Sequence, residues 1–178
     1  MVKAQAGHGR LTLVLGGARS GKSRYAESLV EKLPKPWVYV ATAEARDAEM
    51  TERIATHRAR RAADWQTIEA PHDLAVAIGK APRGAALLVD CLTLWLSNRM
   101  LAEADMESEI DALEKALTAY EGSMVLVANE VGSGIVPDNV LGRRFRDLQG
   151  LLNQRIAARA DRVILMVAGL PLTMKDSP

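Results

Sequence analysis

An apolar run, LTLVL (residues 11–15), stops abruptly at the glycines of GGARSGKS (16–23), and RYAESLVEKL (24–33) follows with Tyr25, Leu29 and Leu33 four residues apart. Few local structures accept this order. A continuous apolar run without polar alternation is a strand covered on both faces, and four-residue spacing is the buried stripe of a helix. The eight residues between fit G-x-x-x-x-G-K-[ST], with Gly16, Gly21, Lys22 and Ser23 in the fixed places and the strand and helix where the pattern needs them. Glycines let successive N–H groups turn inward, and the helix N-terminus adds the positive end of its dipole. The loop is therefore expected to cradle phosphates, with the Lys22 amine reaching the β and γ phosphates and the Ser23 hydroxyl holding Mg²⁺.

Four more β-branched apolar runs recur, WVYVA (37–41), ALLVD (86–90), MVLVA (124–128) and RVILMV (162–167). Helical patterns separate them at 21–33, 47–62, about 108–121 and 139–160, the last with Leu141, Phe145, Leu148, Leu152 and Ile156 on one stripe. Alternating strands and helices predict an α/β fold with a mostly parallel sheet and helices on its faces. KLPKP and KAPRG read as turns, and no linker interrupts the pattern. Residues 1–10 are expected to form a flexible polar arm, and residues 11–178 a single nucleotide-binding catalytic domain. MVKAQAGHGR lacks the apolar stretch of a signal peptide, no run approaches the ~20 residues of a membrane span, and one cysteine, Cys91, suits a reducing compartment; the expected location is the cytoplasm.

Ligands of such sheets lie beyond the carboxyl ends of the strands. The residues found there are GGARSGKS, TAEARD, DCLT, NEVGSG and AGLP. Asp90, closing ALLVD, stands where a second oxygen ligand for phosphate-bound Mg²⁺ is needed. A cap on the helix that DCLT opens is its other reading. Glu130, in VANEVGSG, has three readings: metal binding, substrate orientation or holding a turn.

MTERIATHRARR (50–61) sets His57 among arginines. Wound as a helix, the segment places Met50, Ile54 and His57 on one side, with Glu49 and Arg53 a favourable pair. Taken alone, this describes a half-buried histidine on the inner edge of a solvated helix. Its place after the second strand, at the phosphate end of the sheet, allows a second role. Guanidiniums nearby disfavour imidazolium, a neutral imidazole is a nucleophile toward phosphorus, and arginines can hold a triphosphate while pyrophosphate leaves.

LVLGGARSGKSRYAE, YVATAEARDAEMTERIATHRARRAADWQTIEAP, LLVDCLTLWLSN and VANEVGSGIVPDNVLGRRFRDLQGLLNQRIAARADRVILMVAG together resemble the bifunctional adenosylcobinamide kinase / adenosylcobinamide-phosphate guanylyltransferase family, over residues 11–169. The phosphate loop is common to many families, whereas RIATHRARR…DWQTIE and NEVGSGIVP…FRDLQG…NQR are far more specific. The resemblance implies a three-layer, RecA-like P-loop domain. It implies two reactions: a nucleoside triphosphate, ATP or GTP, phosphorylates the aminopropanol hydroxyl of adenosylcobinamide; GTP then guanylylates a histidine, and GMP passes to adenosylcobinamide phosphate to give adenosylcobinamide-GDP. Carried over by motif, the guanylylated histidine is His57 and the phosphate-loop lysine is Lys22; Glu130, read from its place at a strand end, is expected to be the third catalytic residue. The nucleotide contacts are Gly16, Gly17, Ala18, Arg19, Ser20, Gly21, Lys22, Ser23, Ala41, Thr42, Ala43, Arg58, Ala59, Arg60, Arg61, Glu69 and Asp90, with Ser23 and Asp90 toward Mg²⁺. Some relatives carry two adjacent histidines where this chain has Thr56 and His57, and some carry glutamate at Asp90. The resemblance also implies homotrimers with sites near subunit boundaries. The stretch 92–120 is either an interface or a helix pair packed on its own sheet.

Two rivals remain at this stage. One is a plain small-molecule kinase in which His57 only packs. The other, a nucleic-acid-linked ATPase, needs a basic stripe or aromatic platform, which a net charge of +1 and 4 % aromatic residues do not supply. Trp37 and Trp95 are expected in the core, Cys91 and His72 as structural residues, and His8 without a role.

Overall fold

The computed structural model describes residues 9–45, 48, 51, 52, 55 and 63–177. Seven strands form one sheet: β1 (Leu11–Gly16), β2 (Trp37–Ala41), β3 (Trp65–Glu69), β4 (Ala86–Asp90), β5 (Met124–Asn129), β6 (Arg162–Val167) and β7 (Leu170–Asp176). Their order is β3-β2-β4-β5-β1-β6-β7, parallel throughout except for the antiparallel pair β6–β7. The five strands expected from apolar runs are all present, and β3 and β7 are added at the two edges. The helices are α1 (Lys22–Val30), α2 (Leu74–Lys80), α3 (Leu92–Leu101), α4 (Met106–Ala119) and α5 (Val140–Arg159). Of the expected helix 47–62, residues 48, 51, 52 and 55 are helical, and the rest lies outside the described residues.

The pleat sends successive residues to opposite faces. Leu13, Val38, Leu87, Val89 and Leu126 pack beneath α2, α3, α4 and α5, whereas Val14, Tyr39, Leu88 and Val127 pack against Ala26 and Val30 of α1. Both faces are covered, which is why the central strands carry apolar residues at every position. Three layers result, with β1 near the middle of the sheet. The stretch 92–120 forms α3 and α4, whose Leu92, Trp95, Leu96, Ile110 and Leu113 are buried in the core; the helix-pair alternative is the one observed. Trp95 is fully buried, and Trp37 packs half-buried on the α1 side.

Side chains fix the helix starts. Asp105 accepts from Glu107 N–H and Asn139 from Gly142 N–H, at 3.3 and 2.7 Å, which satisfies donors that the first turn leaves open. Glu114 of α4 accepts from Arg155 and Arg159 of α5, each at 2.8 Å, and joins the two helices. At the amino end, Gly9 donates to Glu121 and Arg10 accepts from Met124, so residues 9 and 10 are tied to the start of β5 and the turn before it. AGLP is the turn of the β6–β7 hairpin. Ala168 and Gly169 both have positive φ, 51° and 82°, as a two-residue turn between antiparallel strands demands.

Candidate active site

Strand β1 delivers the phosphate loop to the middle of the carboxyl edge. Arg19 and Gly21 take positive φ, 55° and 89°, and Gly21 directly precedes α1. Two neighbours brace the loop. Gly169 of the hairpin donates to the Ser20 carbonyl at 3.1 Å, and Glu130 N–H donates to Gly16 at 3.1 Å. Gly16 is required where it stands, because a Cβ there would lie 2.5 Å from Ser20 Oγ and 2.7 Å from the Met166 carbonyl oxygen. Lys22 is buried and its Nζ donates to the Gly17 carbonyl at 2.8 Å, so the ammonium is held inside the turn of the loop. Ser20 Oγ is buried and has no hydrogen-bond partner among the described residues. Gly17, Ala18 and Arg19 are exposed, and Ser23 is half-buried.

Register aligns Glu69 and Asp90 on the same carboxyl edge of the sheet as this loop, with β5 between Asp90 and β1. Ala41 is the strand partner of both Glu69 and Asp90, and Asp90 in turn pairs with Val127. Glu69, Ala41 and Asp90 thus end three adjacent strands in one row. Asp90 is half-buried and accepts from the Tyr39 hydroxyl at 3.2 Å. The helix-capping role open to Asp90 is not taken: Cys91 is the N-cap of α3, and no side chain caps it. Thr42 is completely buried, its hydroxyl bonded to both the Cys91 N–H and the Cys91 carbonyl at 2.7 Å. Its side chain fastens β2 to β4, while Ala43, next along, is half-buried. Burial, with Asp90 adding to it, pushes the Cys91 thiol up to about 11, so it stays protonated and inert at neutral pH.

The Glu130 carboxylate holds a turn. It accepts from Gly132 N–H at 2.7 Å and Ser133 N–H at 3.2 Å. The Ser133 side chain, chiefly, holds the Glu130 carboxyl below the usual range; burial opposes this, and the two N–H groups assist. A carboxylate at neutral pH therefore organises residues 130–133 directly beside the phosphate loop.

His57, Arg58, Ala59, Arg60 and Arg61 lie outside the described residues. Several side chains that serve this edge carried no motif signal. Helix α3 contributes three. Thr93 Oγ1 accepts from Asn129 N–H at 2.7 Å, Trp95 Nε1 donates to the His72 carbonyl at 3.0 Å, and Asn98 Nδ2 donates to the carbonyls of Thr42 at 2.9 Å and Pro71 at 3.0 Å. On α5, Gln149 donates to Asn153, which donates to the Asn129 carbonyl. His72 Nε2 and Glu44 Oε1 are 2.6 Å apart, a pair that links the exit of β2 to the residues just ahead of α2. For Thr93 and Asn98, the signal that could have marked them is a polar residue within the otherwise apolar helix sequence of α3.

Among the described residues no three His, Cys, Asp or Glu side chains converge on one point. The donor set instead suits Mg²⁺ as it is usually held, by one or two protein oxygens together with phosphates and water. Ser23, a hydroxyl in the first turn of α1, and Asp90, a carboxylate closing β4 with β5 between it and β1, are of that kind. Among the described residues no helix is long and apolar enough to cross a membrane.

In overall shape the chain is similar to an ATPase from the type III secretion system of pathogenic bacteria, with a TM-score of 0.54 and 16 % identity, covering 89 % of this chain and 52 % of that one. That likeness concerns the fold alone. In sequence the chain is 49 % identical over 169 residues to the bifunctional adenosylcobalamin biosynthesis protein CobP of Pseudomonas aeruginosa, covering 93 % of this chain and 98 % of the relative. It is 41 % identical over 182 residues to the bifunctional adenosylcobalamin biosynthesis protein CobU of Salmonella typhimurium, covering 93 % and 99 %. The family model described as cobinamide kinase / cobinamide phosphate guanyltransferase matches residues 12–174, from the strand that feeds the phosphate loop to the hairpin that braces it. The chain belongs to the cobinamide kinase / cobinamide phosphate guanyltransferase family.

Proposed function

We propose that this chain carries out two successive reactions at the carboxyl edge of the sheet. In the first, the aminopropanol hydroxyl of adenosylcobinamide attacks the γ-phosphorus of ATP or GTP; a P–O bond forms as the β–γ bridging P–O bond breaks, the nucleoside diphosphate takes the electron pair, and the hydroxyl proton passes to solvent. In the second, a ring nitrogen of His57 attacks the α-phosphorus of GTP. The N–P bond forms as the α–β bridging P–O bond breaks, pyrophosphate takes the electron pair, and the ring gives up its remaining proton to solvent. The phosphate of adenosylcobinamide phosphate then displaces the histidine, yielding adenosylcobinamide-GDP.

The observation that carries this reading is the family match, whose span includes both the phosphate loop and the segment holding His57. The geometry agrees with it. Lys22 has to exchange one oxygen, the Gly17 carbonyl, for a phosphate oxygen of the nucleotide, a small rearrangement that keeps the ammonium paired. Exposed N–H groups of the loop and the start of α1 meet the remaining phosphate charge. Ser23 and Asp90 would hold Mg²⁺, which would supply charge neutralisation for the phosphates. Glu130 keeps the neighbouring loop in place, and Arg58, Arg60 and Arg61 are proposed to hold the departing pyrophosphate. The proposed compartment is the cytoplasm. The proposed assembly is a homotrimer, consistent with two separate exposed apolar patches, one around Ile135 and Val140 and the other along β7.

Mass spectrometry after incubation with GTP and no acceptor tests the reading directly. A single GMP adduct on His57, absent from His57→Ala, is expected. Transfer of label from the γ phosphate only, with no α-phosphate adduct, would leave a plain kinase in which His57 packs.

A further inference from the structure

Strands β4 and β5 separate before β5 ends. Their last paired residues are Asp90 and Val127, whereas β1 stays beside β5 as far as Gly16 and Asn129. After Asp90 the chain turns off through Cys91 into α3. Along a parallel strand the backbone groups of alternate residues point to opposite neighbours. Glu130 N–H reaches the Gly16 carbonyl, on the β1 side, at 3.1 Å. The N–H and C=O of Asn129 therefore point to the side that β4 has left, and unpaired they would cost free energy.

Side chains from two helices take the place of the departed strand. Thr93 Oγ1 of α3 accepts from Asn129 N–H at 2.7 Å, and Asn153 Nδ2 of α5 donates to the Asn129 carbonyl at 3.1 Å. The Asn153 amide is itself held: its Oδ1 accepts from Gln149 Nε2, one turn earlier on α5, at 2.8 Å. Gln149 is wholly buried, as are Leu152 and Ile156 on the same helix. A leucine would fill such a place as well, so packing alone does not call for an amide here.

The Asn129 carbonyl and the Glu130 N–H belong to one peptide group, and that group is planar. Fixing the direction of its oxygen fixes the direction of its N–H. The N–H grips Gly16, the first residue of the phosphate loop. A carbonyl that accepts a hydrogen bond also makes the N–H across its peptide bond a better donor.

We infer that Asn153 is a positioning residue for the phosphate loop: through the 129–130 peptide it sets where Gly16 stands, and so how tightly triphosphate is held. This rests on residues 16–23 as the triphosphate site. Without the Asn153 amide the peptide is free to tilt, and the loop loses a fixed point of entry.

The test uses Asn153→Asp, which keeps the shape but removes the N–H donors, and Asn153→Leu, which keeps the volume without polarity. Arg155→Met is the comparator. Arg155 lies two residues further along α5 and binds Asp111 and Glu114 of α4, so its loss weakens the helix contact without touching the 129–130 peptide. Calorimetric Kd for a β,γ-imido triphosphate, kcat and KM for γ-phosphoryl transfer to adenosylcobinamide, and Tm are measured for each folded chain. The Asn153 variants are expected to raise the Kd and the triphosphate KM at least about fivefold, with kcat within about threefold. Arg155→Met is expected to lower the Tm and keep the Kd within about twofold of wild type. A further measurement needs no substitution: in the wild-type protein, saturating triphosphate is expected to slow amide hydrogen exchange at Glu130, because coupling between two sites is reciprocal. Wild-type Kd in a folded Asn153 variant, an equal rise in Arg155→Met, or unaltered exchange at Glu130 would overturn the inference. Undiminished triphosphate affinity in Lys22→Ala would instead overturn the phosphate-loop reading beneath it, and the inference with it.

Discussion

Gly16 shows at the scale of one residue how backbone and chemistry are joined. It is the last residue of β1 and the first of the phosphate loop, with Asn129 beside it on one strand and Met166 on the other. A methyl group there meets the Met166 carbonyl, part of the sheet backbone, and Ser20 Oγ, part of the loop. The sheet is the stiffer of the two, so the loop must give. Gly16→Ala is therefore expected to cost about 1–3 kcal/mol in stability, as overpacking does, and to weaken triphosphate binding at least about tenfold. Urea unfolding and nucleotide titration measure the two effects. Unchanged affinity would show that the loop tolerates the shift. Lys22 differs from Gly16: its ammonium rests on the Gly17 carbonyl of its own loop, the oxygen that a nucleotide phosphate is proposed to replace.

Among the elements, the pairing of α4 with α5 is the clearest case of a charged contact inside a helical layer. The Glu114 side chain is only 9 % exposed and lies between Arg155 and Arg159, which hold its carboxyl down to about 2. An acid with a folded pKa below its unfolded value adds stability above the unfolded pKa, near 4.5, and that contribution disappears as pH falls toward 2. Glu114→Gln is expected to be about 2–3 kcal/mol less stable than wild type at pH 7, with the gap closing between pH 4.5 and 2. Denaturant unfolding along that pH range checks it, and a gap independent of pH would assign the loss to packing. Such contacts also mark the limit of what the sequence discloses. The five central strands are legible because burial on both faces forces unbroken apolar runs. WQTIE, on the edge, is half-exposed and polar, and LPLTMKD contains a proline and sits on the other edge; neither shows the pattern of a buried strand. α3 is apolar over most of its surface, so no amphipathic period marks it. The phosphate loop is local and could be read directly from eight residues. Asn98 and Thr93 act on carbonyl and amide groups 56 and 36 residues away, a relation that exists only after the sheet has formed.

At the scale of the whole molecule, the described residues present two apolar surfaces that the fold leaves open. Ile135, Val136, Val140 and Leu141, between the Glu130 turn and the first turn of α5, are 97 %, 61 %, 73 % and 53 % exposed. On the far edge of the sheet, Leu170, Leu172 and Met174 alternate along β7 and are each more than half exposed. Contiguous apolar patches on a folded chain mark association surfaces. Two different patches, rather than one self-complementary patch, are what a ring requires, because each subunit then offers one surface to the neighbour ahead and another to the neighbour behind. The proposed homotrimer has that symmetry, and it leads to an outcome a twofold dimer does not share. Ile135→Asp and Leu172→Asp are each expected to sediment as monomers. Mixed together, they are expected to form a heterodimer through the one junction in which both patches are intact, and to stop there. Sedimentation velocity on each variant and on the mixture distinguishes the cases. If the mixture stays monomeric while wild type is trimeric, the two patches do not face one another across the subunit boundary.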